Sequence, residues 1–192
     1  MKIAGLVLAA GAGRRMGTPK ALIRDGDGVP WVVRTARVVA EAGCSPVVVV
    51  VGASADQVRA VVSDEPVEVV EATNWDEGMG AALRTGLTAV GAADAEAVIV
   101  VPVDLPGLTS AAVRRVLERS SPDALARATY DGSPGHPVLI GRAHWDGVIA
   151  SAHADAGARE YLRAHRVELV ACDDVGDGAD ADTPDDLPKG HG

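Results

Sequence analysis

A chain of 192 residues is long enough for one ordinary domain with a self-sufficient core, so folding requires neither a disulfide nor a structural metal. Its 47% hydrophobic content includes no Phe and only 3% aromatics, which predicts a core of Ala, Val and Leu in closely packed layers of helix on sheet. The net charge of −9 excludes a nucleic-acid-coating or anionic-membrane surface, and no segment reaches the ~18 uninterrupted apolar residues of a membrane span.

Along the chain, four apolar runs at 3–9, 46–51, 67–71 and 97–103 are rich in Val and Ile, and their near-continuous hydrophobicity predicts strands buried on both faces. Met1-Lys2 followed by Ile3 to Ala10 does not make a signal peptide, because the run is broken by glycine and enters an arginine-bearing loop. Helix-length stretches separate the strands: Pro30 opens 31–42, Ser54 and Gln57 form a capping box for 55–62, and 79–90 runs between Gly78 and Gly91. Thr109 caps a helix at 110–119. Strands at 124–130 and 136–141, helices near 143–150 and 156–164, and a strand at 166–171 follow, before an acidic, Gly-rich stretch at 173–186. The pattern predicts a single domain over 1–192: an α/β fold with one open, mostly parallel sheet and helices on both faces, a Rossmann-like three-layer arrangement. Ligands of such sheets bind beyond the carboxyl ends of the strands. Cys44 and Cys172 share no metal or redox spacing and read as inert thiols in a reducing cytoplasm. His144, His153 and His165 share no ligand spacing either.

The densest chemical signal is the loop after the first strand, Ala9-Ala10-Gly11-Ala12-Gly13-Arg14-Arg15-Met16-Gly17-Thr18-Pro19-Lys20. Its glycines let backbone N–H groups close on phosphate oxygens, and Arg14, Arg15 and Lys20 supply positive charge in an otherwise acidic chain. It is not a dinucleotide fingerprint, since Met16 occupies the last glycine position and Pro19 would break the helix. Nor is it a P-loop, since Lys20 follows Pro19 and not Gly.

Residues Leu8 to Lys20 do match, position by position, the L-A-A-G-x-G-x-R-M-G-x-x-K signature of nucleotidyltransferases. The chain resembles the MobA-like NTP transferases, nearest the molybdenum-cofactor cytidylyltransferase branch. The segments Trp75–Leu87, Val103–Pro106, Gly135–Leu139, Asp155–Arg159 and Asp180–Leu187 carry that closer match by their order and spacing. The resemblance implies that Leu8, Ala9, Ala10, Gly11 and Gly13 bind the nucleotide, largely through backbone atoms. It also implies that Arg15 holds the triphosphate and that Lys20 reaches the α-phosphate. Relatives often carry serines after the Gly-Met of the second motif, where this chain has Gly80-Ala81-Ala82.

Asp104 follows a hydrophobic run and so emerges at the carboxyl end of a central strand, where Mg²⁺ with substrate phosphates is expected; a turn role before Pro106 is the plainer reading. Asp182 is ranked as the second metal ligand by the resemblance, with Asp180, or a role for Asp182 as a helix cap, as alternatives. Gly78, His136 and Arg159 are placed at the acceptor site, against plain roles for His136 as a turn residue and Arg159 as a surface residue. The implied reaction moves a nucleoside monophosphate, CMP favoured, from an NTP to molybdopterin carrying its metal, with Arg15, Lys20 and Asp104 as the catalytic groups. A molybdenum hydroxylase would receive the product. Guanylyl transfer, transfer to a sugar or polyol phosphate, and a non-catalytic carrier are the competing readings.

Overall fold

The computed structural model describes residues 1–192. Its centre is a seven-stranded sheet in the order β3-β2-β1-β4-β6-β5-β7. The strands are β1 Ile3–Ala9, β2 Val47–Val51, β3 Glu68–Glu71, β4 Ala97–Pro102, β5 Leu125–Tyr130, β6 Ser133–Gly141 and β7 Glu168–Ala171. All neighbours are parallel except β6, which runs antiparallel to both β4 and β5. The helices are α1 Trp31–Glu41, α2 Ala55–Val61, α3 Met79–Ala92, α4 Ser110–Leu117, α5 Trp145–Ser151 and α6 Arg159–Ala164.

Alternation along the strands divides the core. Val7, Val49, Val51, Ile99 and Val101 face α1, α2 and α4, while Leu6, Leu8, Val48, Val50, Val98 and Val100 face α3, α5 and α6. A continuous valine run is therefore a strand with a helix layer on each side. The close approach of α3 depends on Gly86, where a Cβ would come 2.4 Å from Leu6 Cδ1. Cys44 and Cys172 are buried and unpaired, and burial pushes the Cys44 thiol up to about 12, consistent with an unreactive role. No helix is long and apolar enough to cross a membrane.

Four sequence expectations change. β3 is an edge strand with both end glutamates exposed, so only its central pair is partly covered. The Ser54–Gln57 capping box does not form: the Ser54 backbone, at φ −127° and ψ 40°, departs from extended capping geometry and its side chain accepts no hydrogen bond. β6 starts at Ser133, not 136, because Asp131 (φ 48°) and Gly132 (φ 72°) close a two-residue hairpin directly onto β5. The helix expected from 156 begins only at Arg159, because Gly157 (φ 53°) separates it from a 3₁₀ turn at Ala154–Ala156.

Candidate active site

The chain leaves β1 toward β2 on one side, while β4 lies on the other side of β1. The carboxyl ends of β1 and β4 thus diverge at a topological switch point, the place where open α/β sheets bind ligands. The Gly11–Lys20 loop leaves β1 there, and Asp104 leaves β4 there.

Within the loop, Gly13 is at φ 62°, and a Cβ on it would lie 1.9 Å from the Thr18 carbonyl oxygen. Only glycine permits this fold-back, which the Gly17 N–H to Gly13 carbonyl bond (2.9 Å) closes. Gly11 differs: nothing of the chain lies within 4 Å of where its Cβ would be. The amides of Gly11, Ala12 and Gly13 donate to no group of the protein, so they remain available to an anion. Leu8, Ala9 and Ala10 are buried, so Ala9 and Ala10 have chiefly backbone to offer a ligand. The Ala10 carbonyl accepts from Ala53 N–H (3.1 Å), and the Ala10 methyl is packed so near Gly52 that a Cβ there would come within 2.9 Å of it.

A 3₁₀ turn at Lys20–Leu22, started by Pro19, aims Lys20 at the carboxyl end of β4. Its Nζ donates to Asp104 Oδ2 (2.7 Å) and to Asp182 Oδ1 (2.6 Å), and Arg15 Nη1 lies 3.0 Å from Asp182 Oδ2. Partial burial alone would lower the Lys20 ammonium, but its two hydrogen-bonded carboxylates together hold it above its usual value. The Lys20 hydrogen bond is the main cause that depresses Asp182, with burial opposing and the Lys20 and Arg15 charges adding. Asp180 forms neither a hydrogen bond nor an ion pair with Lys20 and borders the neighbouring cleft.

The main chain brings these distant residues together. Ala181 N–H donates to the Asp104 carbonyl (3.0 Å), and Asp177 N–H donates to the Gly107 carbonyl (3.1 Å), which stitches the acidic stretch to the turn after β4. Asp182 does not cap the short 3₁₀ turn at Pro184–Asp186: Asp186 Oδ2 accepts the N–H groups of Thr183 (2.8 Å) and Asp182 (3.1 Å), leaving the Asp182 carboxylate for Lys20 and Arg15. Arg34, which the sequence did not single out, holds the same turn from α1 by donating to the carbonyls of Leu108 (2.9 Å) and Leu105 (3.4 Å). An arginine on a helix carries no signal of that contact.

Beside this cluster lies a cleft of about 640 Å³, bounded by Leu8 and Asp104 at one end and by Arg127, His136 and Arg159 at the other. His136 opens partly into the cleft, yet loss of solvent, and then the Arg127 charge, push its imidazole down to about 4, so it is neutral at pH 7. Gly78 is not among the cleft residues. At φ 107° it packs so closely that a Cβ would lie 2.6 Å from Asp155 Oδ1, which gives its identity a structural cause. Gly80, Ala81 and Ala82 are likewise buried, with Gly80 against the His153 backbone, so this stretch faces the protein interior.

The two carboxylates that share Lys20 also fit a divalent cation, because Mg²⁺ takes one or two carboxylates and completes its shell with phosphate oxygens and water. A phosphate-sized glycine loop, two cations and two acids at the switch point of a mostly parallel sheet define a nucleotidyltransferase. A family model described as MobA-like NTP transferase domain matches residues 5–169, and the chain belongs to that family. It is similar to nicotine blue oxidoreductase of Paenarthrobacter nicotinovorans (36% identity over 96% of this chain and 94% of the relative). It is also similar to molybdenum cofactor guanylyltransferase of Rhodobacter capsulatus (31% identity over 78% of this chain and 68% of the relative). Among solved structures, Rv0371c of Mycobacterium tuberculosis superposes with a TM-score of 0.81 at 30% identity, covering 97% of this chain and 96% of its own. A manganese complex of Rv0371c superposes with a TM-score of 0.76 at 28% identity, covering 97% and 96%. Asp182 lies beyond the family-matched residues, so its place in the site rests on its contacts.

Proposed function

We propose that this chain transfers a nucleoside monophosphate, CMP favoured, from an NTP to a phosphorylated acceptor of the molybdopterin class, with release of pyrophosphate. One observation carries the reading: Lys20, Arg15, Asp104 and Asp182 converge beside a loop whose Gly11–Gly13 amides have no partner in the chain. The manganese complex of Rv0371c supports a divalent metal. Asp104 and Asp182 would hold Mg²⁺, which supplies charge neutralisation at the phosphates.

The chemistry asks little of side chains as nucleophiles. An acceptor phosphate oxygen is already an anion, attacks the α-phosphorus in line, and the bond to the β-phosphate oxygen breaks as pyrophosphate leaves. The Gly11–Gly13 amides bind the phosphates, Arg15 neutralises the leaving pyrophosphate, and Lys20 stabilises charge at the α-phosphate. The cleft toward His136 and Arg159 positions the acceptor. Catalysis is then positioning plus electrostatic stabilisation.

The base preference rests on Ala10, where a glycine would leave more room; the guanylyltransferase relative weighs on the other side. Because the Ala10 methyl packs toward Gly52, its influence on a base acts through the shape of that wall. Discrimination of this kind is worth about 1–3 kcal/mol. Pyrophosphate release measured with mixed CTP and GTP, Mg²⁺ and metal-loaded molybdopterin is expected to favour CTP. Equal use of both would overturn the base, and no release with any NTP would overturn the transfer reading.

The relative named nicotine blue oxidoreductase favours a second, redox reading of the same cleft. A change in the redox state of nicotine blue on incubation with the chain and a chemical hydride donor, with no pyrophosphate release from any NTP, would decide for it.

A further inference from the structure

The far end of the cleft concentrates positive charge that no acid balances. Arg127 on β5, Arg159 at the start of α6 and Arg163 one turn later all border it, in a protein with 27 acidic and 18 basic residues. None of the three forms an ion pair, whereas Arg15, Arg37, Arg59, Arg84, Arg115 and Arg119 each do. Arg127 is the informative one because it is half-buried. Its Nε (3.1 Å) and Nη2 (3.0 Å) both donate to one acceptor, the Gly135 carbonyl, which fixes the guanidinium plane and leaves Nη1 without a protein partner. Asp104, Asp155 and Asp180 border the same cleft but pair with none of these arginines. His136, neutral beside Arg127, cannot balance the charge either.

A half-buried cation that faces a second cation and no acid is unfavourable in the empty protein, and an anion between the two removes that penalty. Burial, followed by the charge of Arg159, pulls the Arg127 guanidinium below its usual value, which records the same frustration. The position also separates this charge from the nucleotide cluster. Arg127 pairs with Val138 on β6, and Val138 pairs with Val100 on β4, so Arg127 stands two strands from β4, about 10 Å across the sheet. Asp104 and Lys20 lie beyond the end of β4.

We infer that Arg127 and Arg159 form a second oxyanion site, which grips an anionic group of the acceptor other than the phosphate that attacks the nucleotide. The acceptor class is then a molecule with two anionic ends: the reacting phosphate beside Lys20, and a carboxylate or tetrahedral oxyanion across the cleft. A simple polyol phosphate, with no anionic group besides the reacting phosphate, would leave Arg127 uncompensated. The inference rests on the nucleotidyl-transfer reading for the identity of the bound molecule, but the oxyanion site itself stands on the cleft.

The test uses inorganic phosphate and acetate as separate probes on the full chain. Calorimetric titration is combined with NMR of the arginine Nε–H groups, and CTP with Mg²⁺ is titrated in parallel. Saturable binding that shifts the Arg127 and Arg159 signals is expected, and the tighter probe distinguishes a tetrahedral oxyanion from a carboxylate. Arg159→Gln, at an exposed position, and Arg127→Lys, which keeps the charge but loses the fork, should each weaken that probe at least about tenfold, the scale of one charge-assisted pair. CTP binding should change less than about twofold. Thermal melting of both variants separates loss of the site from loss of the fold, and Arg159→Gln still tests the site if Arg127→Lys fails to fold. The inference is overturned if neither probe binds, if both variants bind as the parent does, or if the shifts fall on Arg15 and Arg15→Gln abolishes them. Oxyanion binding at Arg127 without any NTP binding would leave this site standing and remove the nucleotidyl-transfer reading.

Discussion

At the residue scale, the site is a balance of two acidic and two basic side chains, and its acids and its lysine make separate predictions. Asp104→Asn should abolish turnover in a folded protein, because on the proposed reading it removes a carboxylate that matches metal and phosphate charge. Pyrophosphate release and a melting curve check both halves. Asp182→Asn should behave alike and Asp180→Asn should not, since only the first touches Lys20. Lys20→Ala should slow transfer about a hundredfold or more while nucleotide binding changes less, the pattern of a group that acts on developing charge. An unchanged maximal rate with a raised KM would assign Lys20 to ground-state binding instead. His136 predicts a pH effect. Its folded value of about 4 lies below the ordinary 6.5, so the unfolded chain binds the proton more readily. The stabilisation is fully present above pH 6.5 and is lost as pH falls toward 4. Urea unfolding at pH 7.5 and 4.5 should show the parent losing about 1–3 kcal/mol more than His136→Asn.

At the element scale, the loop after β1 is shaped by one residue more than by its length. Gly13 is required both by its positive φ and by the 1.9 Å approach that a Cβ would make to the Thr18 carbonyl, and no flexible side chain can yield there. Gly13→Ala should therefore lower stability by about 1–3 kcal/mol and displace Lys20, so that turnover falls further than stability does. Gly11→Ala meets empty space in the chain and should leave stability nearly unchanged while weakening NTP binding. Calorimetric melting and nucleotide titration of the two variants separate a glycine needed by the fold from one needed by a ligand.

Across the whole molecule, the last nine residues, 184–192, fold back onto the segment that follows β1. Arg24 and Gly192 exchange two backbone hydrogen bonds (2.9 Å each), Trp31 Nε1 donates to His191 Nδ1 (3.1 Å), and Leu187 packs on the small core of Met16, Ile23, Trp31 and Ala181. Two members of that core, Met16 and Ala181, are the chain neighbours of Arg15 and Asp182. Ending the chain after Thr183 should lower stability by about 2–4 kcal/mol, from lost hydrogen bonds and apolar burial. The melting midpoint should fall by several degrees, and turnover should drop as Met16 and Ala181 lose their cover. Unaltered melting and turnover would show that the segment only rests on the surface.

What the sequence determined by itself was the layered α/β architecture and the glycine-rich turn after β1, because both are written in neighbouring residues: valine runs too apolar for anything but doubly covered strands, and glycines spaced along one turn. The β5–β6 hairpin was also legible in Asp131-Gly132, although the expected strand began at 136, three residues after its observed start at Ser133. Only the tertiary structure decided the rest. Asp182 reaches Lys20 beside an Ala181–Asp104 backbone hydrogen bond between segments 77 residues apart in sequence, while Asp186 accepts the backbone N–H groups of Asp182 and Thr183. Arg127 joins Arg159 because β5 pairs with β6, which pairs with β4. Local propensity carries no information about which distant charges a sheet will bring into one cleft, since that is set by strand order and register.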